Sequence, residues 1–331
     1  MAPSTMKQWV VESKEKDFDG LVYKDAPVPK VGESEVLVKL HAASLNYRDL
    51  IIPKGQYPFP SNFPVVPGSD GAGEVVEVGS KVTDFKKGDR VATVFNQGHQ
   101  YGPVNIAASH TGLGGVLDGP EEPQRPREQH PHLCCSHGLN ALYGLKPLKP
   151  GQVVLVQGTG GVSMFGLQFA KAAGATVIAS TSSAAKAEKL KELGADHIIN
   201  YRQDTNWGET ARKLTPEGEG VDHILEVGGP GTLAQSFKAI KYEGLISVIG
   251  FIGDGTGQDQ PTILDALSNI CTVRGVYVGS KELMQDMIRA IEANDIHPVV
   301  DEKVFTLDQT RKAYEHMWGQ NHFGKLTIKI N

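Results

Sequence analysis

The residues Gly158-Thr159-Gly160-Gly161-Val162-Ser163 close a short β-branched run, VVLVQ, and open a stretch whose apolar positions recur at three and four. Glycines so placed have a specific use. Gly158 permits a tight turn, Gly160 lets an anion approach the backbone, and the amides and dipole of the following helix complement a pyrophosphate. The chemistry implied is dinucleotide binding, with Gly158, Thr159, Gly160, Gly161 and Val162 as the cradle, and a strand before and helix after give the pattern its meaning. Ser163 stands where a third glycine or alanine is expected. The alternative is a glycine-rich turn that holds nothing, and the repeated strand-helix units that follow weigh against it.

The next strand, TVIAS, runs into Ser180-Thr181-Ser182-Ser183 and lacks the acid that binds the NAD ribose. A carboxylate there would repel a 2′-phosphate, whereas hydroxyls with a nearby lysine would accept one. The run therefore favours NADP(H), with Ser182 among its hydroxyls and Lys186 as the cation. Read alone, Lys186 is equally an ordinary solvated helix lysine. Tyr201, ending HIINY, supplies a further hydroxyl or simply packs at a sheet edge.

The elements that must hold these residues follow from periodicity. Up to about Val94, β-rich runs such as EVLVKLHAASL and GAGEVVEVG alternate with Pro and Gly turns, which reads as a barrel-like domain. From Gln152 onward strands alternate with helical runs, the pattern of a doubly wound parallel sheet. The fold class is α/β: a Rossmann domain over 140–279 and a β-barrel catalytic domain over 1–139, with 280–331 folding back onto the latter.

Composition narrows the function further. A chain of 331 residues supports two cores, and a net charge of -5 with mixed signs excludes a nucleic-acid backbone or an anionic membrane as the natural partner. Three cysteines and a polar N-terminus fit a cytoplasmic setting. No Cys-x-x-Cys run or His-x-x-x-His pair signals a metal, the eleven histidines are scattered, and the nucleophile elbow of the α/β-hydrolases is missing.

With these residues in view, the chain resembles the zinc-independent members of the medium-chain dehydrogenase/reductase superfamily, related to quinone oxidoreductases and enoyl reductases. The resemblance rests on SLNYRDLIIPKGQYP (44–58), VVPGSDGAGEVVEVGSKVTDFKKGDRVATVF (65–95), the stretch from Leu142 to Ser180, LKELGADHIINY (190–201) and the ending HFGKLTIKI, and so covers nearly the whole chain. It implies a GroES-like barrel beside the Rossmann domain. In zinc alcohol dehydrogenases of the superfamily a cysteine ligand stands at the position of Asn46, and a glycine-histidine-glutamate motif stands where this chain has Gly68-Ser69-Asp70. Metal ligands are thus missing at both places. The resemblance assigns Tyr57 of Gly55-Gln56-Tyr57-Pro58 as proton donor or substrate-orienting group, Asn46 as the residue orienting an oxygen, and Tyr47 as pocket lining. It places Lys186 and Tyr201 beside the 2′-phosphate, Val227 and Phe251 on the nicotinamide side, and Phe323 and Lys325 near the cofactor. It also implies a homodimer joined through the strand at Val273 to Val278.

One interval departs from the family. Residues 117–138, LDGPEEPQRPREQHPHLCCSHG, are proline-rich and charged, read either as a solvated loop or as the product of a shifted frame or mis-drawn splice junction. The expected function is an NADPH-dependent, metal-independent oxidoreductase that passes hydride to a small quinone, enone or carbonyl acceptor. The alternatives are alcohol oxidation with NADP, or a catalytically silent NADP-binding relative.

Overall fold

The computed structural model describes residues 4–118, 132–253 and 260–330. The chain forms two compact units: Met1–Leu133 with Ser280–Gln285 and Val300–Asn331, and Cys134–Gly279 with Asp286–Val299.

The first unit carries seven strands: β1 (Thr5–Val11), β2 (Leu21–Pro27), β3 (Val36–Ser44), β4 (Asp70–Val78), β5 (Arg90–Ala92), β12 (Phe305–Thr306) and β13 (Thr327–Lys329). β1 and β2 make an antiparallel ribbon, and the rest form one sheet in the order β12-β13-β3-β4-β5. Its helices are α1 (Tyr47–Ile51), α2 (Ile106–Ser109) and α10 (Thr310–Trp318). Val11, Phe18, Leu50, Val65, Tyr314 and Leu326 build the core that fixes α1 and α10. Register matters for the chemistry: β3 ends and β4 begins at the pair Ser44 and Asp70, so two polar side chains meet where α1 starts.

The second unit is a six-stranded parallel sheet of β6 (Val153–Gln157), β7 (Thr176–Thr181), β8 (His197–Asn200), β9 (Val221–Glu226), β10 (Ile240–Val248) and β11 (Thr272–Gly275). The order β11-β10-β9-β6-β7-β8 puts the first strand of the unit in the middle, with the topological switch point between β6 and β9. Every residue of VVLVQ is buried, as a central parallel strand requires. The helices are α3 (His132–Tyr143), α4 (Gly161–Ala172), α5 (Ala184–Glu192), α6 (Trp207–Lys213), α7 (Leu233–Ala239), α8 (Ile263–Ser268) and α9 (Lys281–Ala293), the first residues of α3 and α9 being counted with the first unit.

Three boundaries differ from expectation. Within the C-terminal stretch, 286–299 packs with the second unit and only 280–285 and 300–331 rejoin the first. The helical run LAQSFKAIKYEG stops at Ala239, because Ile240 already pairs with Val221 in the sheet. Of the discordant interval, 132–138 forms the start of α3, with Cys134 and Cys135 buried, so order returns earlier than the composition suggests. Residues 119–131, which hold part of the segment 123–139 on which the frame reading rests, lie outside the described residues.

His223 in β9 is 1% exposed, and among the described residues neither ring nitrogen has a hydrogen-bond partner. Burial pushes its pKa down to about 4 from an ordinary 6.5. The neutral ring is therefore what the fold contains. Below about pH 6.5 the unfolded chain takes up a proton that the folded one refuses, so stability is complete above that pH and drains away towards pH 4. The loss is expected to approach roughly 3 kcal/mol. Urea unfolding of the wild type and His223→Val at about pH 7.5 and about pH 4.5 checks it, since carboxylate effects common to both cancel. The wild type should lose more stability on acidification than the variant; equal losses would refute the assignment.

Candidate functional site

In the second unit the glycine turn sits where the sheet order reverses. Gly158 has φ +73, a left-handed conformation that a side chain would strain, and its N–H donates to Ser180 O at 2.9 Å. Gly160 caps α4 with extended backbone. A Cβ built on Gly158 or Gly160 meets no heavy atom within 4 Å, so both glycines face open space at a helix N-terminus. That combination of open room and the first-turn amides of α4 fits a dinucleotide pyrophosphate. Ser163 explains its departure from the pattern: buried, it donates from Oγ to Gln157 O at 2.5 Å and staples α4 to the end of β6. The close helix-sheet contact falls instead to Gly166, where a Cβ would lie 2.3 Å from Leu225 Cδ2.

The candidate adenosine-side residues gather at the ends of β7 and β8. Ser180 and Thr181 are buried within the sheet, which leaves Ser182 and Ser183 as the half-buried hydroxyls. Ser183 caps α5, accepting from Lys186 N at 3.4 Å, and so sets Lys186 in the first turn. Tyr201 N donates to Thr181 O at 3.1 Å, holding the tyrosine beside the end of β7. Arg202, exposed and next in sequence, is a second cation here that the sequence reading missed, although its adjacency to Tyr201 is a usable signal.

Val227 and Phe251 follow the ends of β9 and β10. Gly229, at φ +63, lies against Gly250 and Phe251, and Ile249 N donates to Glu226 O at 2.8 Å. Beneath this turn Glu226 is fully buried and accepts from Gln157, Gly228, Gly229, Thr232 and Ser236. Neither Glu226 nor Gln157 stands out in the sequence, because nothing in VVLVQ or ILEVGG says that the two strand ends are neighbours.

In the first unit, Asn46, Ser44, Ser69, Asp70 and Lys325 form one buried cluster. Asp70 Oδ2 accepts from Ser44 Oγ at 2.8 Å, Asn46 Nδ2 at 3.1 Å and Lys325 Nζ at 3.0 Å. Asn46 Nδ2 also donates to Ser69 Oγ at 3.2 Å. Lys325 Nζ donates further to Asn46 Oδ1 at 2.7 Å and Leu45 O at 2.9 Å. The three N–H donors of an ammonium thus have three protein acceptors. Lys325 is thus held inside the first unit by Asp70, Asn46 and Leu45, and a cofactor contact through Nζ would have to be made beside or in exchange for one of these bonds. Asn46 likewise spends its amide inside the protein and opens α1, its backbone N–H donating to Asp49 Oδ2 at 2.8 Å.

These residues do not fit a catalytic zinc. An amide and a hydroxyl are poor ligands for it, and the ammonium held 3.0 Å from Asp70 would oppose a dication. Among the described residues no group of three or more His, Cys, Asp or Glu side chains is placed to hold a metal.

Tyr47 and Tyr57 diverge. Tyr47 stacks on Trp318 at 6.3 Å and packs half-buried against the core, and burial pushes its phenol up. Tyr57 is half-buried, with the Arg48 guanidinium 5.1 Å from its ring centroid and Arg48 Nε 3.5 Å from its hydroxyl. Arg48 itself is buried, ion-paired to Asp49 at 2.9 Å and set over the Phe95 ring at 5.0 Å. Burial pushes the Asp49 carboxyl up while Arg48 pulls it down. A hydroxyl that accepts from an arginine keeps its own proton for donation. Phe323 is buried in the same unit, its N–H bonded to Asp301 Oδ2 at 2.8 Å.

Comparison with known proteins agrees with this division. Residues 32–119 match the alcohol dehydrogenase GroES-like domain, and residues 161–293 match the zinc-binding dehydrogenase family. A zinc-type alcohol dehydrogenase-like protein of Schizosaccharomyces pombe is 45% identical over 98% of this chain and 99% of its own. The human quinone oxidoreductase is 28% identical, covering 92% of this chain and 91% of its own. A crystal structure described as an alcohol dehydrogenase from Sinorhizobium meliloti 1021 superposes with a TM-score of 0.87 at 34% identity, over 99% of this chain and all of the other.

Proposed function

Because the chain belongs to the medium-chain dehydrogenase/reductase superfamily and is an oxidoreductase of small carbonyl, quinone or enoyl-type compounds, we propose that it is an NADPH-dependent reductase working without a metal ion. The observation that carries the reading is the open cradle at Gly158 and Gly160, set at the switch point of a parallel sheet. The dinucleotide, when bound, supplies the hydride. Gly158 to Val162 hold its pyrophosphate, Ser182, Lys186 and Tyr201 its 2′-phosphate, and Val227 and Phe251 border its nicotinamide. Tyr57, backed by Arg48, donates the proton. Alcohol oxidation with NADP is the same machinery run backwards.

Two measurements test this. NADPH consumption with a panel of quinones, enones and aldehydes should be visible in the wild type and fall by about a hundredfold or more in Tyr57→Phe, the usual range for removing a positioned acid. Binding of NADPH without turnover across that panel would favour the silent relative. Lys186→Ala should lose roughly 1–3 kcal/mol of affinity for NADPH and little for NADH, as for a charge-assisted phosphate contact. Equal weakening of both would remove Lys186 from the phosphate site.

We also propose a homodimer built on the edge of the second unit's sheet, in keeping with a cytoplasmic enzyme. Among the described residues β11 pairs only with β10, and Ile263, Leu264 and Leu267 of α8 are exposed, Leu267 at 73%. An open strand edge beside apolar side chains is a surface that normally finds a partner. Light scattering should give about twice the chain mass of 35.6 kDa, and Leu267→Asp should shift it towards the monomer. A monomeric wild type would overturn the dimer.

A further inference from the structure

Resting on the cofactor reading above, the geometry points to Glu226 and Gln157 as a buried clasp that orients the redox half of the dinucleotide. We propose that they are positioning residues: they set the turn Val227–Gly229 against the glycine turn, and contribute little to holding the adenosine half.

The clasp joins the last residues of the two strands that flank the switch point, β6 and β9. Gln157 Nε2 donates to Glu226 Oε2 at 2.8 Å and to Ser236 Oγ at 3.0 Å. Glu226 Oε1 accepts the backbone N–H groups of Gly228 at 3.0 Å and Gly229 at 2.9 Å. Gln157 Oε1 accepts from Val227 N at 3.1 Å and Gly228 N at 3.3 Å. The hydroxyls of Thr232 and Ser236 donate to the carboxylate as well. Every N–H of the turn is therefore directed inward by one acid-amide pair.

A buried carboxylate is costly, and among the described residues no basic side chain pairs with Glu226. Simple packing at that place would be served better by an apolar residue. The arrangement instead fixes a backbone path. Gln157 reaches the other turn too, since its own carbonyl receives Ser163 Oγ from the first turn of α4. Displacing the clasp would move the nicotinamide border relative to the pyrophosphate cradle, while Ser182 just after β7, Lys186 in α5 and Tyr201 just after β8 keep their own supports at Ser183 and Thr181.

Glu226→Gln keeps the shape but turns a donor towards Gln157 and Ser236, where acceptors are needed. NADPH affinity should fall at least about tenfold, equivalent to one or two buried polar mismatches, with adenosine 2′,5′-bisphosphate affinity within about twofold of wild type. The reciprocal pair Glu226→Gln with Gln157→Glu restores one acid facing one amide, leaves Ser236 a carboxylate to bond, and should recover NADPH binding. That rescue is a result which general loss of packing would not give.

Wild-type affinity for NADPH in Glu226→Gln would overturn the clasp while leaving the cofactor reading intact. So would parallel loss of both ligands, or failure of the reciprocal pair to rescue. A wild-type protein that binds neither ligand would overturn both. If the single variant does not fold, the folded reciprocal pair decides by its affinity for NADPH.

Discussion

Lys325→Met is expected to cost roughly 3–5 kcal/mol of stability, the usual penalty for stripping one partner from a buried ion pair. Both partners are almost fully enclosed, with side chains 2% and 4% exposed. The variant leaves the Asp70 carboxylate with hydroxyl, amide and backbone donors but without the ammonium, and removes one donor each from Asn46 Oδ1 and Leu45 O. Uncompensated charge in a low-dielectric interior dominates over the small gain from methionine's apolar contacts. Adding Asp70→Asn removes that charge and should recover more than half of the loss. Urea unfolding of the single and double variants measures both quantities. A single variant within about 1 kcal/mol of wild type would mean that the cluster is not the electrostatic unit described. Because the ammonium already provides the positive charge, a zinc chelator should leave the wild-type unfolding midpoint where it was.

Gly160→Val should abolish dinucleotide binding, a loss of at least about a hundredfold, while costing only about 1 kcal/mol of stability for an unfavourable helix cap. The folded chain has space for the new side chain, since nothing lies within 4 Å of its Cβ, but a phosphate could no longer reach the amides. Gly166→Val is the opposite case. Its Cβ would overlap Leu225, which is fully buried in β9, so stability should fall by roughly 1–3 kcal/mol or more. Isothermal titration with NADPH and thermal melts on the two variants separate the effects. If Gly160→Val binds NADPH normally, the open face of the turn is not the ligand's.

Much of this protein was readable from residue order because the relevant information is local. The period of two in the N-terminal runs, the strand-turn-helix of the glycine motif and the missing acid after TVIAS all lie within short windows, and the strand order that places them at a switch point follows from right-handed βαβ connections. Lys186 falls in the first turn of α5 for the same reason: Ser183 is a capping residue three positions ahead of it.

What the sequence could not supply is long-range pairing among polar side chains. Lys325 lies far along the chain from Asn46 and Asp70, and only the antiparallel pairing of β13 with β3 and of β3 with β4 brings the three together. That pairing makes Lys325 the counter-ion of a buried acid and Asn46 its neighbour, bonds that residue order does not reveal. Tyr47 packs half-buried against the core because α10 presents Trp318 to it. Glu226 and Gln157 lie on strands separated by two other strands in sequence, yet adjacent in the sheet. Residue types and spacing pointed to an NAD(P)-type dinucleotide for the second unit. Tertiary structure alone decided which polar groups are consumed by one another, because burial leaves each of them to find a partner wherever the fold brings one within reach.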